Sequence, residues 1–285
     1  MIRSIVASTA HALATGLALA LAMPLAALPV ATPAAAQADR CPKLVAKSPF
    51  IAPPGPRIVP AAYVGERQVG LTYIGHSTFL IETAGGVTVA TDYNDYVRPS
   101  VVPRVATMNR AHSTHYSLNP DPGIEYVLKG WREDRDPVRY DLDVGDLWIG
   151  NLPTNIRDYQ GGTIRNGNSI FVFRAADICI AHLGHLHHTL TEEDLGALGR
   201  IDVVLAPVDG SYTLDVDGMV EVLKALEAPL VIPMHYFNEG TLNRFLDRFA
   251  SSQYTIERRE SPELVLSRET LPMKPTVIVL PGSLY

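Results

Sequence analysis

Leu71-Thr-Tyr-Ile-Gly-His76-Ser-Thr-Phe-Leu-Ile-Glu82, continuing through Ala84-Gly85-Gly86 into Val87-Thr-Val-Ala90, is the stretch on which the fold turns. Its apolar runs at 71–74, 79–81 and 87–90 are short and split by turn formers, which is the pattern of strands, and Gly85-Gly86 between two of them reads as a β-hairpin. A second hairpin has the same form: 170–173, a turn at Ala175-Ala176-Asp177, then 178–181. After residue 190 the pattern changes. Thr191 followed by Glu192, Glu193 and Asp194 is a cap with acids in the first turn, predicting a helix over 191–198 that Gly199 closes. The runs 203–206 and 230–234 are continuously apolar, as buried strands are, while 216–226 has helical spacing and 241–250 reads as a terminal amphipathic helix. Hairpins first and strand-helix alternation afterwards predict two sheets with helices outside, an α/β fold around a β-sandwich core.

Composition limits the function classes. In 285 residues, 47% are hydrophobic and 19% charged, which is globular and excludes wholesale disorder. With 24 Lys and Arg against 30 Asp and Glu the net charge is -6, so no basic footprint for nucleic acid exists. Two cysteines can build neither a disulfide scaffold nor a Cys-rich zinc module.

The N-terminus carries Arg3, an Ala- and Leu-rich apolar run at 13–31, and Ala36-Gln37-Ala38, the order of a secretory signal with its cleavage site. A signal peptide over 1–38 is therefore expected, cut after Ala38, with a periplasmic or secreted product that has no membrane attachment afterwards. Export would permit a disulfide between Cys41 and Cys179, which sequence alone leaves open. Residues 39–68 are rich in proline and lack an amphipathic period, so they read as an arm. The single domain is expected over 69–285.

Of nine histidines, eight fall in four segments: His76; His112 and His115; His182, His185, His187 and His188; and His235. His76, His182 and His235 each follow the C-terminal end of an expected strand, the edge where ligands bind in α/β sheets. Imidazoles gathered there point to a shared metal or proton-transfer site. No G-x-S-x-G, P-loop, H-E-x-x-H or G-x-G-x-x-G signature is present.

The stretch 71–92, from Leu71 to Ala90-Thr91-Asp92, resembles the opening of the metallo-β-lactamase-fold hydrolases, in the branch that includes ascorbate-phosphate lactonases. The likeness extends over about 69–240. It implies a four-layer αββα sandwich. The family's H-x-H-x-D-H motif corresponds to Arg110-Ala-His112-Ser-Thr114-His115, its H-L-G-D-L-G-H motif to His182-Leu-Gly-His185-Leu-His187-His188, and its final ligand to His235 in Ile232-Pro-Met-His235. The departures imply a changed centre. Of the two metal positions in the family, one would fall to Arg110, His112 and Arg157, and two fixed cations cannot hold a divalent ion. The other keeps His115, His185 and His235, with His112 as a fourth ligand or a base. The resemblance thus implies one divalent transition metal, zinc foremost, and cleavage of an ester, lactone or phosphoester by metal-bound hydroxide.

Within that reading Arg110 and Arg157 would grip an anionic group of a small-molecule substrate. Asp209 would orient a ligand or act as base, or be only the turn residue of Asp209-Gly210. His188 would move protons or be a solvated loop residue, and His76 and Asp92 would brace the loops. The alternative is a periplasmic protein of the same fold that binds a metal or an anion without turnover, because the bridging acid of the family is His185 here.

Overall fold

The computed structural model describes residues 64–249 and 253–283. The expected signal segment, its cleavage site, Cys41 and nearly all of the Pro-rich arm lie outside the described residues.

In chain order the strands are β1 (Val69–Gly75), β2 (Thr78–Thr83), β3 (Thr88–Ala90), β4 (Val105–Met108), β5 (Tyr126–Lys129), β6 (Asp141–Val144), β7 (Leu147–Arg157), β8 (Thr163–Ala175) and β9 (Ile178–His182). Then α1 (Glu192–Leu198), β10 (Val203–Pro207), α2 (Val216–Leu226), β11 (Leu230–Met234) and α3 (Glu239–Leu246) alternate, before β12 (Thr255–Arg258), β13 (Glu263–Leu266) and β14 (Thr276–Val279). One sheet has six strands in the order β13-β1-β2-β3-β4-β5, the other eight in the order β12-β14-β11-β10-β9-β8-β7-β6.

Both expected hairpins form. β1 and β2 pair antiparallel with Leu71 opposite Ile81, and β2 turns into β3 through Gly86, whose φ of 80° suits glycine. β8 turns into β9 through Ala176 and Asp177, both at positive φ (51° and 60°), as a two-residue hairpin that follows the strand twist requires. β9, β10 and β11 run parallel and are buried along their whole length, which is why they read as unbroken apolar runs. Phe79, Trp148, Phe171 and Phe173 belong to the large continuous core, and burying each such side chain contributes about 1.5–3 kcal/mol.

α1 carries the expected cap: Thr191 Oγ1 accepts from the Asp194 N–H while the Asp194 carboxylate accepts from the Thr191 N–H. All three helices of the described residues follow strands of the eight-stranded sheet; the six-stranded sheet is joined by loops. The segment at 241–250 is not terminal. α3 starts at Glu239 under an Asn238 cap, and three strands follow it. β14 inserts between β11 and β12, while β13 crosses to pair with β1, so the C-terminal residues belong to both sheets.

The topology gathers strand ends. β1, β3 and β4 in one sheet share a direction, as do β9, β10 and β11 in the other. The chain leaves β1 at His76, β3 toward Asp92, β4 toward Asn109, β9 toward His185, β10 toward Asp209 and β11 at His235. The two sheets are tied at this edge by the His235 N–H, which donates to the His76 carbonyl at 2.7 Å. Among the described residues no helix is long and apolar enough to cross a membrane.

Candidate metal centre

His76, Asp92 and His235 sit at φ of 49°, 42° and 54°. A left-handed backbone is unfavourable for side chains with a Cβ, so three such residues at strand ends around one point mark a place where geometry is held against local preference. They turn the chain sharply, so that imidazoles from different strands converge.

The convergence is close. His76, His112, His115 and His235 each offer one ligand atom, and these atoms all lie within 4.8 Å of one another. His115 Nε2 and His235 Nε2 are 3.1 Å apart, and His112 Nε2 is 3.1 Å from His185 Nε2. His76, expected only to brace a loop, is thus inside the cluster, while His185 abuts it through His112.

Behind each ring stands a different group. His115 Nδ1 lies 2.5 Å from Asp92 Oδ2, and Asp92 Oδ1 accepts from Asn109 Nδ2 at 3.0 Å. Asn109 in turn bonds the Ser169 backbone of β8, linking the sheets beneath the site. His235 Nδ1 lies 3.0 Å from Asp209 Oδ1, though out of line for a good hydrogen bond. His112 Nδ1 is 2.7 Å from Thr114 Oγ1, which also reaches His76 Nε2 at 2.8 Å. His185 Nδ1 is 2.7 Å from His187 Nε2, and the Arg157 Nε–H donates to His187 Nδ1 at 2.8 Å.

The donor set fits a metal. An imidazole backed by a carboxylate has its Nδ1 proton held there and presents a lone pair at Nε2, the usual outer-shell arrangement of a metal-bound histidine. Two such nitrogens 3.1 Å apart face each other either through a shared proton or across a cation, and with both Nδ1 protons held behind them a cation is the partner that suits both lone pairs. Ligands about 2.0–2.1 Å from a tetrahedral zinc would stand about 3.3 Å apart, close to that spacing.

Electrostatics favour the same state. Burial, with the neighbouring His235 and His112 adding to it, holds His76 down to about 2; burial and His235 hold His112 down to about 4. Burial also pushes His115 and His185 well below the usual imidazole range and pushes Asp92 well above the usual carboxylate range. Neutral rings are the form that binds metals. Asp209 behaves differently: burial would raise it, but His235 and the donors of Thr213 and Ser211 hold it well below the carboxylate range.

A stability prediction follows for the metal-free protein. His182, fully buried, is held down to about 4 by burial, with the Ser77 carbonyl accepting at 2.8 Å. Between the unfolded value near 6.5 and about 4, the unfolded chain binds a proton that the folded chain does not, so stability falls as pH falls through that window. For this one residue the loss approaches about 3 kcal/mol at the lower end. Urea midpoints at pH 7 and pH 4.5 measure it, and equal midpoints would refute it.

The other expected site residues are distributed as follows. Arg110 pairs with Glu133 at 3.3 Å. A cleft of about 520 Å³ runs past Arg110, His112, Arg157, His185 and Tyr212, whereas His115 and His235 are fully buried beneath it. Arg157 spends Nη2 on the carbonyls of Thr213 (2.6 Å) and Ser211 (3.4 Å). The shift in β7–β8 register between Thr154 and Ile156 lies just before it, a common device for re-aiming a side chain. His188 is placed apart: its Nε2 accepts from the Asn155 N–H and its Nδ1 bonds the Thr189 carbonyl, so both nitrogens are spent on backbone and none is left to carry protons to the cluster. Asp209 corrects the expectation of a base. Its carboxylate accepts from the Ser211, Tyr212 and Thr213 N–H groups and both hydroxyls, leaving it to orient His235 from within its turn.

Sequence reasoning gave Asp92 and Thr114 no part in the cluster and left His187 unassigned. The only signal for Asp92 was its place just past an apolar strand, and for His187 its place in a histidine-rich loop.

The chain is similar to known proteins over the region that carries these residues. The sequence profile of a family described as a beta-lactamase superfamily domain matches residues 70–235. A UPF0173 metal-dependent hydrolase of Thermoplasma acidophilum is 36% identical over 139 residues, 49% of this chain and 54% of that protein, so the match spans about half of that relative's length. Another, from Salinibacter ruber, is 27% identical over 206 residues, 63% of this chain and 89% of that protein. A crystal structure assigned as a Zn-dependent hydrolase of the metallo-beta-lactamase superfamily, from Thermotoga maritima, superposes with a TM-score of 0.56 at 29% identity, covering 75% of this chain and 100% of that one.

Proposed function

The chain belongs to the beta-lactamase superfamily, and from that premise we propose that it is a metal-dependent hydrolase working with one divalent transition metal, zinc foremost, held by His112, His115 and His235 with His76 alongside. The observation that carries the proposal is the facing pair His115 and His235, each backed by a buried carboxylate, with lone pairs converging at 3.1 Å. When bound, the metal would supply Lewis acidity and a water activated near neutral pH.

The remaining work falls to the chain itself. Arg110 and Arg157 line the cleft and provide positive charge for an anionic group, which favours an acidic ester, lactone or phosphoester of small-molecule size. His112 and His185 form the side of the cluster that the cleft reaches, so substrate approaches there, while burial of His115 and His235 keeps bulk water from the opposite side. Action in the periplasm or outside the cell is supported by the signal-like N-terminus, an apolar run followed by Ala36-Gln37-Ala38.

The test is elemental analysis of protein purified without added metal or chelator, followed by a panel of esters, lactones and phosphoesters. About one transition metal per chain, with turnover that a chelator removes, is the expected result. Two metals per chain would overturn the mononuclear centre. Metal without turnover on any of the panel would favour a protein that binds and does not hydrolyse.

A further inference from the structure

Hydrogen-bond direction along one chain of rings can be read without knowing where any proton was placed. Arg157 has donors only, so the bond from its Nε–H to His187 Nδ1 (2.8 Å) makes that nitrogen an acceptor. A neutral imidazole carries one proton, so the proton of His187 is on Nε2, and it is donated to His185 Nδ1 at 2.7 Å. The reverse direction would leave His187 with no proton on either nitrogen. His185 therefore holds its own proton on Nε2 and presents an N–H to the cluster, where His112 Nε2 accepts it at 3.1 Å. The order runs on: His112 Nδ1–H donates to Thr114 Oγ1, and the Thr114 hydroxyl to His76 Nε2.

The contrast with the neighbours is chemical. His115 Nδ1 is bonded to the Asp92 carboxylate and His235 Nδ1 faces the Asp209 carboxylate at 3.0 Å, so each has an acceptor behind it and its lone pair is free to point forward. His112 has behind it a hydroxyl, which can accept. Of His112, His115, His185 and His235, only His185 has a donor behind it, and a ring with a donor behind it offers a proton.

We propose that His185 is a hydrogen-bond donor to substrate and not a metal ligand, its Nε2–H serving an anionic or developing oxyanion oxygen in the cleft, with Arg157 acting through His187 as the positioning residue that fixes the tautomer. The proposal rests on the metal-site reading above. A metal on His112 Nε2 would claim the lone pair that His185 now uses, leaving the His185 N–H directed into the cleft that both residues line. This revises the expectation that His185 completes the ligand set. Arg157 thereby acquires a second role, since three of its contacts anchor it to His187 and to the 211–213 loop.

Two measurements decide it. In ¹⁵N-labelled, metal-stripped protein, two-bond ¹H–¹⁵N spectra of the imidazoles, assigned with His185→Gln and His187→Gln, should show both residues as Nε2–H tautomers, and Arg157→Met should release His187 to a mixture. In zinc titrations, His185→Gln and His185→Phe should each keep one zinc per chain with affinity within about threefold, because no ligand is lost, whereas loss of a true ligand costs about a hundredfold or more. With inorganic phosphate as the probe of the zinc-loaded protein, His185→Phe should bind about tenfold more weakly and His185→Gln, which keeps an N–H, close to wild type. An Nδ1–H tautomer at His185, or a hundredfold drop in zinc affinity on His185→Gln, would overturn the proposal. If wild-type protein took up no zinc, the metal-site reading would fall by itself, and an Nδ1–H tautomer would still be needed to refute the donor assignment.

Discussion

Replacing His115 and His235 together with alanine is expected to take the metal content from about one ion per chain to none and hydrolysis to background. Among the described residues, one grouping of histidines and acids has the spacing to hold a metal, and these two are fully buried members of it. Three imidazole ligands are the usual minimum for a catalytic zinc, so one remaining from the proposed trio cannot retain it at ordinary concentrations. The loss of turnover would be complete, since the activation of water near neutral pH comes from the ion. The double variant also strands Asp92, which is fully buried and bonded at Oδ2 to His115. Burial already pushes that carboxyl upward, so without the His115 ring Asp92 would take up a proton in the variant and the fold should survive with lowered stability. Elemental analysis beside a circular-dichroism melt separates lost metal from lost structure. A folded double variant that kept one metal per chain would place the centre elsewhere.

How much of this was legible in the sequence depends on which physical signal each feature leaves. Buried parallel strands leave long apolar runs, so 203–206, 230–234 and both hairpins could be read directly, as could α1 and α2 from a cap and a period. The strands β6, β12 and β13 are only partly buried and carry charges such as Asp141, Glu257 and Glu263, so they leave no apolar run. Beyond residue 250 that hides β12 and β13, whereas β14 is fully buried and leaves a readable apolar run at 276–279; together these strands extend both sheets.

The site divides along the same line. Histidines cluster in sequence because they lie on loops at one edge, and that clustering was visible. What each ring does depends on the group behind it, which comes from a distant part of the chain: Asp92 is 23 residues from His115, and Arg157 is 30 from His187. Residue type could not show that His185 is backed by a donor and His235 by an acceptor. That distinction is what separates a ligand from a hydrogen-bond donor.

The same rule, applied to His235, gives the second large effect: Asp209→Asn is expected to weaken zinc binding at least about 10–100-fold while leaving the fold nearly intact. Asp209 Oδ2 accepts from Ser211 N (2.8 Å), Ser211 Oγ (3.1 Å), Tyr212 N (2.5 Å) and Thr213 N (3.3 Å). An asparagine must keep its carbonyl oxygen there, because an amide N–H₂ against three backbone N–H groups would leave them all unpaired at about 1–3 kcal/mol each. Its N–H₂ is then forced to the other side, toward Thr213 Oγ1 and His235 Nδ1. The hydroxyl can accept, but His235 Nδ1 must now accept as well, which moves the ring's proton to Nε2 and turns a ligand into a donor. Asp209→Ala would instead lose the turn, release the 211–213 carbonyls that hold Arg157, and destabilise the protein, because the Ser211, Tyr212 and Thr213 N–H groups lose their acceptor at about 1–3 kcal/mol for each left buried. Chelator competition for zinc beside urea unfolding distinguishes the two: the asparagine variant should lose affinity with little change in midpoint, the alanine variant both. Because Asp209 is held well below the carboxylate range, the wild-type contrast should persist down to the lowest pH at which the histidines still bind metal. Wild-type zinc affinity in Asp209→Asn would show that the carboxylate does not set the tautomer of His235.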